Sequence, residues 1–257
     1  MTSENQRSIT TKIQEGIFYL TLDRPPLNVM DIPMLEQLES SLEAAAKDEA
    51  VRVLVLEAQG KVFSAGVDVA DHTPDKVDRM IPLVDGVCRA LADFPVPTIA
   101  VVHGHALGGG CELVLCCDLA VMAESATIGQ PEIQLAMVAP VAALRLPYLV
   151  GYRVAAELML SGRRLAAGEA LQAGLVNAVV PQEQVSKWAL EQAKWIAGLS
   201  QVATRLVKQA LRMGFGRWAE AMPEMERLYL EDLMNSQDAQ EGLAAFMEKR
   251  RPVWKHR

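Results

Sequence analysis

The chain has 257 residues, 51% of them hydrophobic, and a formal net charge of −7 at pH 7. This length predicts one large domain or one domain with an appendage, and the acidic balance argues against a protein that binds nucleic acid through a broad basic face. The polar N-terminus lacks the apolar segment of a signal peptide. No run of about 18 uncharged apolar residues follows, so we expect neither secretion nor a membrane span.

The first two thirds of the chain alternate between strand-like and helix-like segments. Strands predicted at 16–22 and 51–57 flank a predicted helix, which Asp31 and Pro33 are suited to begin. The alternation continues with a helix at 76–94, strands at 98–102 and 119–122, short helices at 154–160 and 166–173, and a strand at 175–180. This pattern predicts an α/β fold.

After Pro181 the pattern changes, because the remaining segments favour helix. Helices are predicted at 184–199, 201–213 and 218–249, which suggests a core at 1–195 and a helical region at 196–257. Such a region either packs back on the core or reaches a neighbouring subunit. Its positive end is, by itself, typical of cations that stabilise a helix C-terminus.

The cysteines are predicted to be reduced core residues. They are Cys88, Cys111, Cys116 and Cys117. Their spacing fits neither a disulfide framework nor a Cys-x-x-Cys pair, which favours a cytoplasmic protein. His103 and His105 lie near Cys111 without the spacing of paired ligands, so we expect no metal site.

Two glycine-containing turns follow predicted strands. Gly108, Gly109 and Gly110 precede an apolar helix, and the turn at 63–68 contains Gly66. Consecutive glycines cost conformational entropy, and the first N–H groups of a helix are free to meet a ligand. Neither a dinucleotide-binding nor a phosphate-loop pattern is present. The two turns predict a ligand site at the carboxyl edge of the sheet.

Two glutamates are candidates for acid–base chemistry. Glu112 is the only charge before Asp118 in its apolar helix, and a buried carboxylate has a raised pKa, as an acid or base working near neutrality requires. The alternative is a carboxylate that the helix dipole favours in a first turn. Glu132 follows Pro131, and both residues are also good openers of a short helix. Sequence spacing alone does not bring the two glutamates together.

Taken together, these motifs resemble the crotonase, or enoyl-CoA hydratase/isomerase, superfamily over essentially the whole chain. The resemblance rests on the segments 23–25, 27–28, 63–68, 104–118, 128–132 and 246–250. It implies a crotonase (ClpP-like) spiral of ββα repeats with a helical C-terminal trimerisation region. It also implies a homotrimer or a hexamer made of two trimers.

The resemblance further implies a reaction and its residues. The thioester oxygen of an acyl-CoA would lie between the backbone N–H groups of Val67 and Gly109, which stabilise a developing enolate. Glu112 would activate water and Glu132 would protonate the α carbon, so that water adds to an α,β-unsaturated thioester. Coenzyme A is part of the substrate, and no separate cofactor is expected.

The same resemblance suggests residues that bind coenzyme A. The backbone around Ser64, Val67 and Asp68 would contact adenine, and Ala65 would also bind coenzyme A. Lys249, with Phe246 beside it, would reach the phosphates from a neighbouring subunit.

One segment departs from the family pattern. Where most members have a glycine-rich stretch, this chain has Ala136-Met137-Val138-Ala139-Pro140-Val141-Ala142-Ala143. Pro140 therefore predicts a stiffer, more filled acyl pocket, similar to that of hydratases acting on cyclohexa-1,5-diene-1-carbonyl-CoA. A double-bond isomerase of the same family and a non-catalytic CoA-binding protein are the alternatives.

Overall fold

Nine strands form two sheets within residues 7–214 and 218–253, which the computed structural model describes. In chain order the strands are β1 (Ile9–Gln14), β2 (Ile17–Leu22), β3 (Val53–Ala58), β4 (Thr98–Val102), β5 (Ala106–Leu107), β6 (Leu119–Ala123), β7 (Thr127–Gly129), β8 (Arg164–Ala166) and β9 (Ala178–Val180). The larger sheet has the order β1-β2-β3-β4-β6-β9, and the smaller has the order β5-β7-β8.

Most neighbouring strands run parallel. In the larger sheet only β1 and β2 pair antiparallel, and in the smaller sheet only β7 and β8 do so. Parallel neighbours need long crossover connections, which helices provide. Strand β4 is buried along its whole length, as expected for a central strand that is covered on both faces.

Ten α-helices are present in the same described residues. They are α1 (Ile32–Ala46), α2 (Val77–Ala92), α3 (Gly109–Leu115), α4 (Pro140–Val150), α5 (Tyr152–Ser161), α6 (Ala167–Gln172), α7 (Val185–Ala197), α8 (Gln201–Gly214), α9 (Trp218–Arg227) and α10 (Gln237–Met247). Asp31 caps α1 as the sequence predicts, because its Oδ1 accepts the Met34 N–H at 3.0 Å. Gly162 and Gly174 have positive φ angles and follow the ends of α5 and α6, a position that favours glycine.

Two sequence predictions need correction. The single helix predicted at 218–249 is wrong, because a π-helical turn (Leu228–Leu233) follows α9 and Ser236 begins a new helix by accepting the Ala239 N–H at 3.1 Å. The last strand is shorter than predicted. Neither β1 nor the smaller sheet was predicted from the sequence, and the strands of the smaller sheet have only two or three residues.

The C-terminal helices pack back on the core of the same chain. Helix α10 lies against the 3-10 turn Glu132–Leu135, where a Cβ on Gly242 would collide with the backbone of Leu135. Lys208 connects α8 to the core. Its Nζ donates to Val96 O at 3.0 Å and forms an ion pair with Asp118 at 2.7 Å. The division at 195/196 falls inside α7 and stays a prediction; its ranges include residues 1–6, 215–217 and 254–257, which lie outside the described part.

None of the helices described is both long enough and apolar enough to cross a membrane.

Candidate active site

The two glycine-containing turns meet at one point of the fold. Ser64 pairs with the segment before α3, because its N–H donates to His105 O at 3.2 Å and its carbonyl accepts the Leu107 N–H at 2.9 Å. Gly66 has φ +104°, and a Cβ there would lie 3.1 Å from Leu107 O and 3.4 Å from the Gly109 nitrogen. The turns therefore approach each other so closely that only glycine fits at this contact.

Two backbone N–H groups remain free at this contact. The neighbours of Val67 are satisfied, since the Gly66 N–H donates to Ser64 Oγ at 3.1 Å and the Asp68 N–H donates to Met30 O at 2.9 Å. The Val67 N–H has no backbone acceptor in the described part of the chain. Gly109 is the first residue of α3, so its N–H has no acceptor within the helix. Both residues line one cavity.

Asn28 holds the first of these turns in place. Its Nδ2 donates to the carbonyls of Gln59 at 2.9 Å, Val62 at 2.8 Å and Phe63 at 3.2 Å. The Asn28 carbonyl accepts the Ser64 hydroxyl at 2.7 Å. The residue is 1% exposed and has φ +49°, a conformation that asparagine tolerates well. The sequence indicated Asn28 only as part of a family motif and did not reveal this role.

We expect Asn28→Asp to lower the free energy of unfolding by about 3 kcal/mol at pH 7. Aspartate keeps the size and the backbone preference of asparagine, but it removes the three donated hydrogen bonds and sets a carboxylate against three carbonyls. Chemical denaturation measures the loss, and Asn28→Ser separates missing bonds from added charge. Equal stability of Asn28→Asp and the unaltered protein would contradict this role.

Glu112 lies in α3 with only 3% of its surface exposed. Its Oε1 accepts the Ala142 N–H at 3.0 Å, and the Val141 N–H also bonds to it. These N–H groups belong to the first turn of α4, which begins at Pro140. Burial raises the pKa of Glu112 to about 7, although the two hydrogen bonds oppose the rise.

Glu132 begins the 3-10 turn Glu132–Leu135, directly after Pro131. The Gln130 amide, oriented so that its nitrogen faces the carboxylate, donates to both Glu132 oxygens at 3.0 Å. A Cβ on Gly108 would lie 2.6 Å from Glu132 Oε1, so the carboxylate rests against the glycines. Burial raises the pKa of Glu132 to about 8, and the charge of Glu112 adds to the rise.

The cavity that unites these groups has a volume of about 400 Å³. It brings together the predicted residues Val67, Gly109, Glu112, Glu132 and Pro140. The rest of its wall is mainly apolar and includes Met80, Ile81, Val84, Met137, Val138 and Leu243. No group of three or more His, Cys, Asp or Glu side chains that could hold a metal ion occurs in the part of the chain described here.

The residues predicted to contact coenzyme A lie in different places. Ala65 lines the cavity, whereas Ser64 is buried and bonded within its own turn. The side chain of Asp68 accepts the Ala70 N–H at 3.0 Å. Phe246 lies on α10 and lines the cavity of its own chain. Lys249 is exposed beyond α10 and is not part of the cavity wall.

His72 and Tyr229 are among the polar residues of the cavity wall that the sequence did not indicate. His72 follows the 3-10 turn Val69–Asp71, and its Nδ1 lies 3.0 Å from Asp68 O. Tyr229 lies in the π-helical turn and is almost completely buried. Neither residue stood in a recognisable motif, since the segment around Tyr229 is ordinary helix by its pattern.

Comparison with known proteins places this site in a family. The family model described as enoyl-CoA hydratase/isomerase matches residues 12–257. The chain is 36% identical over 245 residues to cyclohexa-1,5-dienecarbonyl-CoA hydratase of Thauera aromatica, which covers 94% of each protein. It is also 36% identical over 247 residues to 2,3-dehydroadipyl-CoA hydratase of Escherichia coli strain K12, covering 95% of this chain and 97% of that protein.

Solved structures agree with the sequence relatives. The crystal structure of an enoyl-CoA hydratase from Mycobacterium avium subsp. paratuberculosis K-10 matches with a TM-score of 0.86 at 26% identity, over 97% of this chain and 99% of that chain. An enoyl-CoA hydratase/isomerase from Pseudoalteromonas atlantica T6c matches with a TM-score of 0.85 at 30% identity, over 96% of this chain and 100% of that chain.

The chain therefore belongs to the enoyl-CoA hydratase/isomerase family. This result confirms the α/β crotonase fold that the sequence motifs predicted. The reaction that the family supports is the hydration of an enoyl-CoA thioester, a carbon–oxygen lyase reaction, and an acyl-CoA is the substrate.

Proposed function

We propose that Glu112 acts as the general base and Glu132 as the general acid of this hydration, while the N–H groups of Val67 and Gly109 bind the thioester oxygen. The observation that carries the proposal is the arrangement of one cavity. The buried carboxyl group of Glu112 and the partly buried one of Glu132, both with raised pKa values, share it with two free backbone donors. Groups whose environments separate their pKa values are suited to opposite acid–base roles.

The proposed steps follow from these protonation states. Because the pKa of Glu112 is raised less than that of Glu132, the state in which Glu112 is ionised and Glu132 carries a proton is favoured over the reverse. Glu112 takes a proton from water while the water oxygen bonds to the β carbon, and the displaced electrons move to the thioester oxygen. The two N–H groups stabilise that enolate oxygen, each by about 3 kcal/mol. The enolate then takes the Glu132 proton at its α carbon, and proton exchange restores both carboxyl groups.

The pH profile is the next expected result. The kcat/KM of hydration should follow a bell-shaped curve with its maximum near pH 7.5 and limits near pH 7 and pH 8. Below the lower limit Glu112 gains a proton and no longer acts as a base, and above the upper limit Glu132 loses the proton that it must deliver. Because Glu112 and Glu132 interact, these two limits are apparent pKa values of the pair of carboxyl groups. A rate that stays flat from pH 6 to pH 9 would contradict the assignment.

Turnover of enoyl-CoA thioesters tests the proposed function directly. Purified protein should abolish the absorbance of the conjugated enoyl thioester, and the product should contain ¹⁸O when the reaction runs in labelled water. A shifted double bond without ¹⁸O would instead identify an isomerase. Binding of coenzyme A without turnover of any linear or cyclic enoyl-CoA would identify a non-catalytic binding protein.

For the acyl group, we propose a cyclic dienoyl thioester. The support is the filled wall at Pro140 and the similarity to the hydratase from Thauera aromatica. The N–H groups of Val141 and Ala142 donate hydrogen bonds to Glu112. These bonds restrain the backbone of the segment, which therefore does not move aside for a ligand. In the same turnover measurement, cyclohexa-1,5-diene-1-carbonyl-CoA should have a higher kcat/KM than crotonyl-CoA. The opposite order would favour a linear substrate.

We also propose contacts to the coenzyme A portion. Phe246 and the backbone of Ala65 lie at the cavity, and Ser64 and Asp68 adjoin it in the same turn. Lys249 follows α10 and supplies an exposed cation suited to a phosphate. That the reaction needs no further cofactor and that the protein is cytoplasmic stay predictions from the sequence.

A homotrimer, or a hexamer of two trimers, is the proposed assembly. Its support is the exposed half of α8, over which four exposed apolar side chains are distributed: Val202, Leu206, Val207 and Leu211. Such a patch is typical of a surface between subunits. Light scattering after size exclusion should give the mass of three or six chains, and Leu206→Glu with Leu211→Glu should lower it. A monomeric mass for the unaltered protein would exclude this assembly.

A further inference from the structure

Tyr229 places a hydroxyl group at the cavity without a strong hydrogen-bond acceptor. The side chain is 1% exposed and forms part of the cavity wall. Its hydroxyl donates to the Met137 sulfur at 3.4 Å. A thioether is a weak acceptor, whereas a buried tyrosine hydroxyl usually bonds to a strong one. In the described residues we find no other partner of this hydroxyl, so the bond can be exchanged for a better one when a ligand oxygen arrives.

The backbone around Tyr229 is also unusual. The residue belongs to the π-helical turn Leu228–Leu233, between α9 and α10. Such turns are uncommon and frequently occur at functional sites. Met137 connects Tyr229 to the Glu132 side of the cavity. The sulfur of Met137 accepts the Tyr229 hydroxyl, and the N–H of Met137 donates to Glu132 O at 3.0 Å. The phenol therefore lies near the proposed acid.

The phenol is a donor rather than a base at this position. Burial raises its pKa, and the negative charges of Glu132 and Glu112 add to the rise. Tyr229 thus stays neutral and keeps its proton at every pH at which the two carboxyl groups act. A neutral donor in the same cavity wall as two carboxyl groups complements an oxygen atom that gains negative charge in that cavity.

The other polar side chains of the described cavity wall are less suited to that oxygen. Gln134 donates to Gly162 O at 3.1 Å, and Arg164 is exposed. His72 belongs to the wall formed by residues 65–72, where its ring lies against Asp68 O. In the proposed function, the N–H groups of Val67 and Gly109 donate hydrogen bonds to the thioester oxygen. The oxygen that adds to the β carbon still lacks a hydrogen-bond donor.

We propose that Tyr229 is a further catalytic residue, whose hydroxyl donates a hydrogen bond to the oxygen that enters as water and leaves the reaction as the β-hydroxyl group. This inference rests on the proposed function and adds a third polar group to its two carboxylates. During addition the oxygen has hydroxide character, so a donor stabilises it most in the transition state and orients it towards the β carbon.

Binding of two ligand pairs tests the proposal, and every protein used for it also carries Glu132→Gln, so that the hydroxylated ligands, which are reaction products, are not dehydrated during the measurement. The first pair is 3-hydroxybutyryl-CoA and butyryl-CoA, and the second is 6-hydroxycyclohex-1-ene-1-carbonyl-CoA and cyclohex-1-ene-1-carbonyl-CoA. Each pair differs only in the hydroxyl group. Tyr229→Phe should weaken the hydroxylated ligand about tenfold in calorimetry and leave its partner unchanged, which corresponds to one lost hydrogen bond. The kcat of hydration should fall by about the same factor or more, with KM little changed.

Met137→Leu is the matched control, because it removes the weak sulfur acceptor and keeps the hydroxyl in a core of nearly equal volume. It should retain the preference for the hydroxylated ligands. Equal weakening of both members of a pair by Tyr229→Phe, the same loss in Met137→Leu, or no preference for a hydroxyl in the protein that carries Glu132→Gln alone would each overturn the proposal. Absence of hydration in the unaltered protein would instead reject the proposed function.

Discussion

Glu132→Gln is expected to lower the kcat of hydration by about a thousandfold, within the range that general acid–base catalysis contributes. Glutamine has the size of the carboxyl group and stays neutral, but it cannot deliver a proton to the α carbon. Because the variant still fills the space beside Gly108, substrate should bind with little change in KM. Stopped-flow absorbance of the conjugated thioester measures the loss.

Stability provides a second readout for the same variant. The pKa of Glu132 rises from its ordinary value of 4.5 to about 8 in the folded protein. Between these pH values the folded state holds more protons than the unfolded state, so the free energy of unfolding falls as the pH rises. Glutamine removes this dependence, and the melting temperature of Glu132→Gln should exceed that of the unaltered protein at pH 8 but not at pH 4.

An exposed carboxylate serves as the control for Glu132. Glu124→Gln changes a side chain on the turn between β6 and β7, outside the cavity wall, and should alter neither the rate nor the pH dependence of stability. Turnover of Glu132→Gln at the unaltered rate would reject the two-carboxylate mechanism. A large fall in KM together with kcat would instead indicate that Glu132 strains the bound substrate.

Gly108→Ala should also abolish most of the activity, by about a thousandfold. Gly108 has φ +56° and ψ −131°, a backbone conformation that an L-residue hardly adopts. Its added Cβ would lie 2.6 Å from Glu132 Oε1, so the alanine displaces the proposed acid and turns the following Gly109 N–H away from the thioester oxygen. Steady-state kinetics measure the loss, and thermal unfolding measures the accompanying strain.

Gly151→Ala is a control with comparable backbone strain. Gly151 has φ +77° and ψ +155°, and a Cβ there would meet no atom within 4 Å. Both alanine variants should lose stability, whereas only Gly108→Ala should lose the hydration rate. Similar rates in the two variants would show that strain alone, rather than the contact with Glu132, explains the effect of the substitution.

Several parts of this site could be predicted from the sequence because they depend on local chemistry. Glu112 stands alone in an apolar helix, which indicates a buried carboxylate, and burial does raise its pKa. The consecutive glycines indicated a close approach of the backbone. Glu132 was less certain from its own residues, because a proline followed by a glutamate also begins an ordinary short helix. The family motif identified it.

Other parts had no local signal. Pro140 was expected to fill the pocket, but the sequence could not reveal that it also begins the helix whose first N–H groups bond to Glu112. The sequence also did not indicate that Phe246 lines the cavity of its own chain, where α10 packs beside it. Tyr229 belonged to a segment that read as continuous helix, and the π-helical turn that brings it to the cavity could not be inferred from that pattern.

The sequence by itself determined the α/β class, the family and the two glutamates, since strand and helix patterns, glycine turns and an isolated charge are properties of short segments. Only the tertiary structure decided which groups share a cavity. Glu112, Glu132 and Tyr229 are brought together by helices that are distant in the chain, and their pKa values depend on the burial that results. Packing between distant segments fixes both burial and contact, and no local pattern contains that information.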